Sequence, residues 1–223
     1  PVRFAPSRFE WAQTGPDRVV WTSAQTVGSL VMRGSAKMEF DGYLEFAFVV
    51  HTYQPLHVKD VRLRVPYARD VARYAMGLGR RGGARPAEWT WKWETYQNNM
   101  LWMGDYDAGL HCRLIAFYLP TDLPTPLGLG HRHAWYNDGR GNAVVREEGT
   151  DQVVLEARSG PQDWRLGEVS AFRWAFLVTP AKLPDPGRWQ QRYYHRDGTP
   201  EDARSKGATI MNLHHGSAAL PYI

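Results

Sequence analysis

Cysteine is almost missing from this 223-residue chain. The single Cys112 can form no internal disulfide, so the fold must stand on a buried core, and cysteine usage leaves the redox compartment open. No apolar run approaches the roughly 18 residues that a membrane-spanning helix needs, so no membrane span is expected. Lysine is scarce, with 5 against 22 arginines, and the 23 acidic residues are interleaved with the basic ones rather than set apart on a tail. The net charge of +4 and pI near 9.3 therefore do not describe a nucleic-acid-binding surface. No Ser/His/Asp or Cys/His nucleophile arrangement stands out. The chain opens at Pro1 with neither a methionine nor a secretion signal, which fits a trimmed N-terminus from which a leader could have been lost.

What the chain holds in excess is flat rings and turn residues. It has 10 Trp, 11 Tyr and 8 Phe, with 21 Gly and 15 Pro, a mix that points to many short strands separated by tight turns. Residues 43–50 alternate, placing Leu44, Phe46, Phe48 and Val50 on one face, and Asp41-Gly42 predicts a type I′ hairpin joining them to Lys37–Phe40. His57–Val65 predicts a strand with Val61, Leu63 and Val65 inward and Arg62 and Arg64 on the opposite face. Ala143–Arg146 and Gln152–Arg158 flank a Glu-Gly-Thr-Asp turn, and Ser170–Thr179 carries Phe172, Trp174, Phe176 and Val178 at alternate positions. Arg69–Met76 is expected to form one short helix. The pattern fits a mainly β protein, an antiparallel β-sandwich over residues 1–182, better than a series of βαβ units.

After Pro180 the composition changes. Leu183-Pro184-Asp185-Pro186-Gly187 opens a linker over residues 183–198. Thr199-Pro200-Glu201-Asp202 then supplies a helix N-cap, a first-turn proline and first-turn acids, Gly207 closes the helix, and the apolar Ala208–Leu213 follows as a strand. Helix, glycine and buried strand are the parts of an α/β unit, so residues 199–223 are expected to begin a second, truncated domain.

The densest chemical signal is Trp89-Thr90-Trp91-Lys92-Trp93. On a strand these three rings share a face about 6–7 Å apart, either inside an aromatic core or as a platform for the C–H faces of a sugar, with Trp102 a further ring downstream. Gly77–Gly83 has the composition of a phosphate loop, but no helix start and no Lys-Ser/Thr follow. A sharp turn is expected there, with Arg80 and Arg81 able to reach an acidic group on a partner or substrate. Asp105 and Asp107 have the spacing of a glycosidase acid pair, although acids so spaced more commonly bind turn amides or water. His131-Arg132-His133 has metal-ligand spacing without the glutamate of a cupin-like site, so loop histidines, and neither metal nor cofactor, are expected. His111-Cys112 reads as a buried structural pair. His214 and His215 follow the last strand at its carboxyl end, where α/β sheets carry their active sites.

The segments Met76–Gly83, Trp91-Lys92-Trp93, Gly104–Leu110, Phe176–Pro180, Arg192-Tyr193-Tyr194-His195 and Asn212-Leu213-His214-His215, taken in order, resemble large bacterial proteins akin to glycoside hydrolase family 123. The resemblance implies an N-terminal β-sandwich, of the supersandwich type, leading into a (β/α)8 barrel. It also implies a retaining N-acetylgalactosaminidase chemistry in which the substrate's acetamido group is the nucleophile beside acids on the barrel. Those acids would lie beyond Ile223, so no catalytic residue is carried over and this fragment is expected to be inactive alone. The expected partners are a carbohydrate and the C-terminal barrel of the same chain, and a periplasmic or secreted location is implied. Candidate substrate-binding residues are Arg80, Arg81, Trp91, Trp93, Trp102, His214 and His215. The competing class is a non-catalytic carbohydrate-binding or structural module.

Overall fold

The computed structural model describes residues 9–93, 99–115, 134–180, 186–190, 192–196, 207 and 209–213. The chain divides into two compact units, Pro1–Ala181 and Lys182–Ile223. The first unit contains β1 (Phe9–Thr14), β2 (Arg18–Val27), β3 (Leu30–Glu39), β4 (Tyr43–Thr52), β5 (Leu56–Val58), β6 (Arg62–Ala68), β7 (Tyr74–Gly77) and β8 (Arg80–Ala84). It continues with β9 (Glu88–Lys92), β10 (Met100–Gly104), β11 (Gly109–Ile115), β12 (Asn142–Glu148), β13 (Gln152–Arg158), β14 (Gln162–Trp164) and β15 (Val169–Thr179).

These strands form a nine-stranded sheet in the order β1-β2-β3-β4-β15-β11-β10-β7-β8, a four-stranded sheet β6-β13-β12-β9 and a small pair β14-β5. The pairings within both larger sheets are antiparallel, and the apolar residues of the two sheets meet in one core cluster. Its centre is Val145, Val153, Leu155 and Ala157 from the small sheet against Leu101, Met103, Leu114 and Phe172 from the large one. The period of two decides which residues enter it. Phe48 and Val50 of β4 enter the core and Phe46 stacks on Trp174 as their alternation predicts, while Glu45, Ala47 and Val49 on the other face of β4 are buried as well; Leu63 and Val65 turn inward on β6 while Arg62 and Arg64 stay exposed.

Several local expectations are corrected. The β3–β4 connection is not a type I′ turn: Gly42 donates to the Glu39 carbonyl at 3.1 Å, and Gly42 (φ 87°) but not Asp41 has positive φ. That is the three-residue loop with an αL glycine, and the Asp41 carboxylate accepts the Tyr43 N–H at 3.0 Å. His57–Val65 is broken into β5 and β6, which belong to different sheets. Arg69–Met76 is a turn followed by β7 rather than a helix, because pairing with β10 on one side and β8 on the other outweighs local propensity. The glycine-rich stretch is a β-hairpin whose two-residue turn, Leu78-Gly79, takes φ 46° and 77°, while the Leu78 side chain is buried.

Both edges of the nine-stranded sheet carry a register shift. In β1 it falls between Trp11 and Gln13, and in β8 Arg81 and Gly82 together oppose Met76. In the small sheet Pro66 lies on the edge strand β6, where its missing N–H costs no ladder bond.

The second unit contains a 3-10 turn at Pro186–Gln190 and two strands, β16 (Tyr193–Arg196) and β17 (Ile210–Leu213), which pair in parallel. A parallel pair requires a crossover connection. The helix expected from Thr199 to Gly207 lies outside the described residues except for Gly207, which takes φ 72°. Among the described residues no helix is long and apolar enough to cross a membrane.

Candidate functional site

The tryptophan stripe of β9 belongs mainly to the core. Trp93 is 2% exposed and sits inside the core cluster, while Trp89 and Trp91 pack against it, half-buried. The stripe therefore offers no open platform, and Trp93 has no face left for a ligand. The reason is the register: β9 pairs with β12 so that Trp89 and Trp91 oppose Val145 and Ala143, both of which point inward. Their neighbours across the sandwich come from the glycine hairpin. A Cβ on Gly79 would stand 2.0 Å from the Trp91 ring, and the Arg80 guanidinium lies 5.3 Å from the centre of the Trp89 ring. Arg80 is thus a clamp between the two sheets. Arg81 is exposed and opposes Met76.

Trp102 has a different fate. It lies on β10 and points to the face of the nine-stranded sheet opposite the core. A Cβ on Gly104 would come within 2.7 Å of its ring and one on Gly109 within 2.8 Å, so the indole rests against bare backbone. Its Nε1–H donates to the Thr179 hydroxyl at 2.9 Å. Two glycines and one hydroxyl thereby lay a half-buried ring flat across β10, β11 and β15.

The same face carries a cluster of polar side chains. Cross-strand neighbours run Tyr43–Leu177–His111–Trp102–Met76, and the adjacent row runs Lys37–Glu45–Ala175–Arg113. Glu45 is 5% exposed and ion-paired with Arg173, itself 7% exposed. The Lys37 ammonium stands 3.8 Å from Glu45, and the Tyr43 hydroxyl donates to the same carboxylate at 3.5 Å. Burial, then the charge of Glu45, raises the Tyr43 phenol above its ordinary range. Burial, then the neighbouring Arg113, pushes the His111 imidazole below its ordinary value, so it is neutral near pH 7 and can donate or accept a hydrogen bond. Arg113 is exposed, with no acid within ion-pair distance among the described residues.

Sequence reasoning picked Trp102 but missed Lys37, Tyr43, Glu45, Arg113 and Arg173, and took His111 as buried structure. A signal was present: a charge in the middle of each of the apolar runs Leu44-Glu45-Phe46 and Phe172-Arg173-Trp174. Only the adjacency of β4 and β15 turns those two charges into a pair.

Asp105 is a turn residue rather than half of an acid pair. Its carboxylate accepts from Arg73 at 2.8 Å and from the Tyr106 N–H at 2.7 Å, and those two bonds hold it below the usual carboxylate range. Cys112 is buried in the core, which pushes its thiol up to about 12. Among the described residues no group of three or more His, Cys, Asp or Glu could hold a metal ion. His131, His133, His214 and His215 lie outside the described residues.

A flat indole beside hydrogen-bonding side chains on one face of an antiparallel sandwich is an arrangement able to hold a sugar ring. Residues 1–180 match the family described as glycoside hydrolase 123, third domain, and the chain belongs to that family. No curated protein matches it. Among solved structures it is similar to the mutarotase-like protein YeaD from Salmonella typhimurium, with 10% identity and a TM-score of 0.50 over 75% of this chain and 64% of that one. A galactose mutarotase related enzyme from Lactobacillus acidophilus matches with 9% identity and a TM-score of 0.45, over 78% of this chain and 73% of that one. The heparan sulfate lyase HepC from Pedobacter heparinus matches with 10% identity and a TM-score of 0.42, over 80% of this chain but 23% of the lyase. At 10% identity the likeness to YeaD is one of fold.

Proposed function

We propose that this sandwich is the glycan-holding companion of a glycoside hydrolase whose cleaving acids stand on a (β/α)8 barrel continuing from the second unit. The observation that carries the reading is Trp102, pressed flat by Gly104 and Gly109 beside His111, with its polar edge tied to Thr179. A pyranose stacks its C–H face on such a ring, and the neighbouring imidazole and guanidinium serve its hydroxyls. The parallel pair β16–β17 supports the barrel, since parallel strands joined by a crossover are its repeating unit. In this reading β16 and β17 are the first two barrel strands, and His214 and His215 line the barrel's own pocket at the carboxyl end of β17. Within the sandwich, Arg81 approaches a glycan held on Trp102, while Arg80 and Trp91 hold the hairpin that presents it.

The two buried carboxylates among the described residues, Glu45 and Glu156, are both ion-paired, which leaves no buried free carboxylate of the kind that glycoside cleavage requires. That favours a binding rather than a cleaving role for the sandwich itself, and it equally suits the second reading, a non-catalytic carbohydrate-binding module. The test is a fluorescence and NMR titration of the chain with a panel of neutral and charged oligosaccharides. Trp102→Ala is expected to weaken binding about tenfold, the worth of one stacked ring. A folded Trp102→Ala protein that binds as tightly as the parent overturns the reading.

A further inference from the structure

We propose that the saccharide taken by this face carries an anionic group, a uronate carboxylate or a sulfate ester, and that Arg113 and Arg81 receive it. This deepens the reading of Trp102 given above and rests on it.

Most arginines that lie near acids on the sandwich are committed to them, whereas the side chains of exposed Arg33 and Arg165 stand away from any acid among the described residues. Arg64, Arg146 and Arg158 converge on Glu156; Arg69 and Arg85 share Glu147 at 2.7 and 2.9 Å; Arg73 holds Asp105. Beside Trp102 the pattern stops. Arg113 is the diagonal cross-strand neighbour of Trp102, about 7–8 Å away along the backbone, well within the reach of its own side chain. Arg81 lies two strands away on the other side, opposite Met76, which is 56% exposed. Both arginines are exposed, and neither has an acid within ion-pair distance among the described residues. Of the two carboxylates in the turn next to the ring, Asp105 is held by Arg73 and Asp107 is exposed.

A planar guanidinium pairs with a carboxylate or sulfate through two parallel N–H···O bonds, which fixes orientation as well as charge. A pyranose stacked on the indole directs a charged substituent along one of two lines, over His111 toward Arg113 or across Met76 toward Arg81. His111, flanked by Trp102 and Arg113, is held neutral and serves a hydroxyl rather than the anion.

The test uses the 223-residue chain and three probes, trigalacturonate, a 6-O-sulfated galactotriose and unmodified galactotriose, titrated by calorimetry or NMR at 0.15 M salt. At least one anionic probe is expected to bind about tenfold or more tightly than the neutral one, as for a hydrogen bond to a charged group. Arg113→Gln, or Arg81→Gln if that arginine is the receiver, is expected to erase the advantage, bringing the affinity for the anionic probe down to that for the neutral one. Arg165→Gln, an exposed change on a remote turn, is expected to leave it intact. Equal affinity for all three probes, or an advantage that survives both Arg113→Gln and Arg81→Gln, overturns the inference and leaves the Trp102 reading standing. No binding of any probe, with Trp102→Ala indistinguishable from the parent, removes both.

Discussion

Two sheet faces turn away from the core, and both are charged. On the four-stranded sheet, Glu156 is encircled: Arg158 at 2.5 Å, Arg146 at 3.4 Å and Arg64 at 3.5 Å, with Arg64 also reaching Glu148 at 2.5 Å. On the nine-stranded sheet, Glu45 holds Arg173 and Lys37, while Arg113 and the flat Trp102 lie beside it without such closure. Charge density alone does not separate the two. Closure does: a lattice whose anions are ringed by cations is architecture, whereas a cation left over beside a hydrophobic plate is available to a ligand.

The comparison is sharpest at its two buried carboxylates. The partners of Glu45 are themselves nearly buried, with Arg173 and Lys37 side chains 8% and 12% exposed, whereas those of Glu156 reach solvent at 30–50%. Removing one member of a buried pair strands its partner's charge, so Glu45→Gln is expected to cost about 3 kcal/mol, read as a lowered urea midpoint. Glu156→Gln, whose arginines can rehydrate, is expected to cost about 2 kcal/mol and to leave glycan binding untouched. Equal losses for the two would dissolve the distinction between the faces.

The plate itself can be moved without touching it. A Cβ on Gly109 would press on Trp102 and the Thr179 hydroxyl at 2.8 Å, while one on Gly83 meets nothing within 4 Å. Gly109→Ala is expected to lose glycan affinity about tenfold, matching Trp102→Ala, and Gly83→Ala to change neither affinity nor fold. A Gly109→Ala protein with parental affinity would remove the platform from the binding account.

The smallest effect is in acid. Burial alone would raise the Glu156 carboxyl, but the bond and charge of Arg158 and the charge of Arg146 outweigh it and leave it below 4.5; Arg85 lowers Glu147 in the same sense. A carboxylate whose folded value lies below its unfolded one contributes stability above about pH 4.5, and that contribution fades as the pH falls through the folded value. Thermal midpoints are expected to drop on acidification below 4.5, with a shallower slope in Glu156→Gln. An unchanged slope would show that the lattice is not what acid dissolves.

Much of the sandwich was legible in the sequence because a period of two in Leu44–Val50, Gln152–Arg158 and Ser170–Thr179 leaves one arrangement that buries the apolar face. What could not be read were the features that depend on strand order. Glu45 and Arg173 are 128 positions apart and Trp102 and Thr179 are 77 apart; nothing local announces either contact. Trp91, Trp93 and Trp102 look alike as residues, yet one register sends the first two inward and another lays the third on the outer face. The Arg69–Met76 stretch read as helix for the same reason, since its true partners are β10 and β8 rather than its own neighbours.

The irregular outer strands carry a last consequence. A long open sheet invites a second molecule to dock along its rim and propagate into a fibre. Here one rim is kinked at Trp11–Gln13, the other at Arg81-Gly82 with two arginines alongside, and Pro66 interrupts the donors on a rim of the smaller sheet. Each irregularity spoils the unbroken ladder that stacking copies would need, so the molecule can carry long open strands without becoming a template for itself.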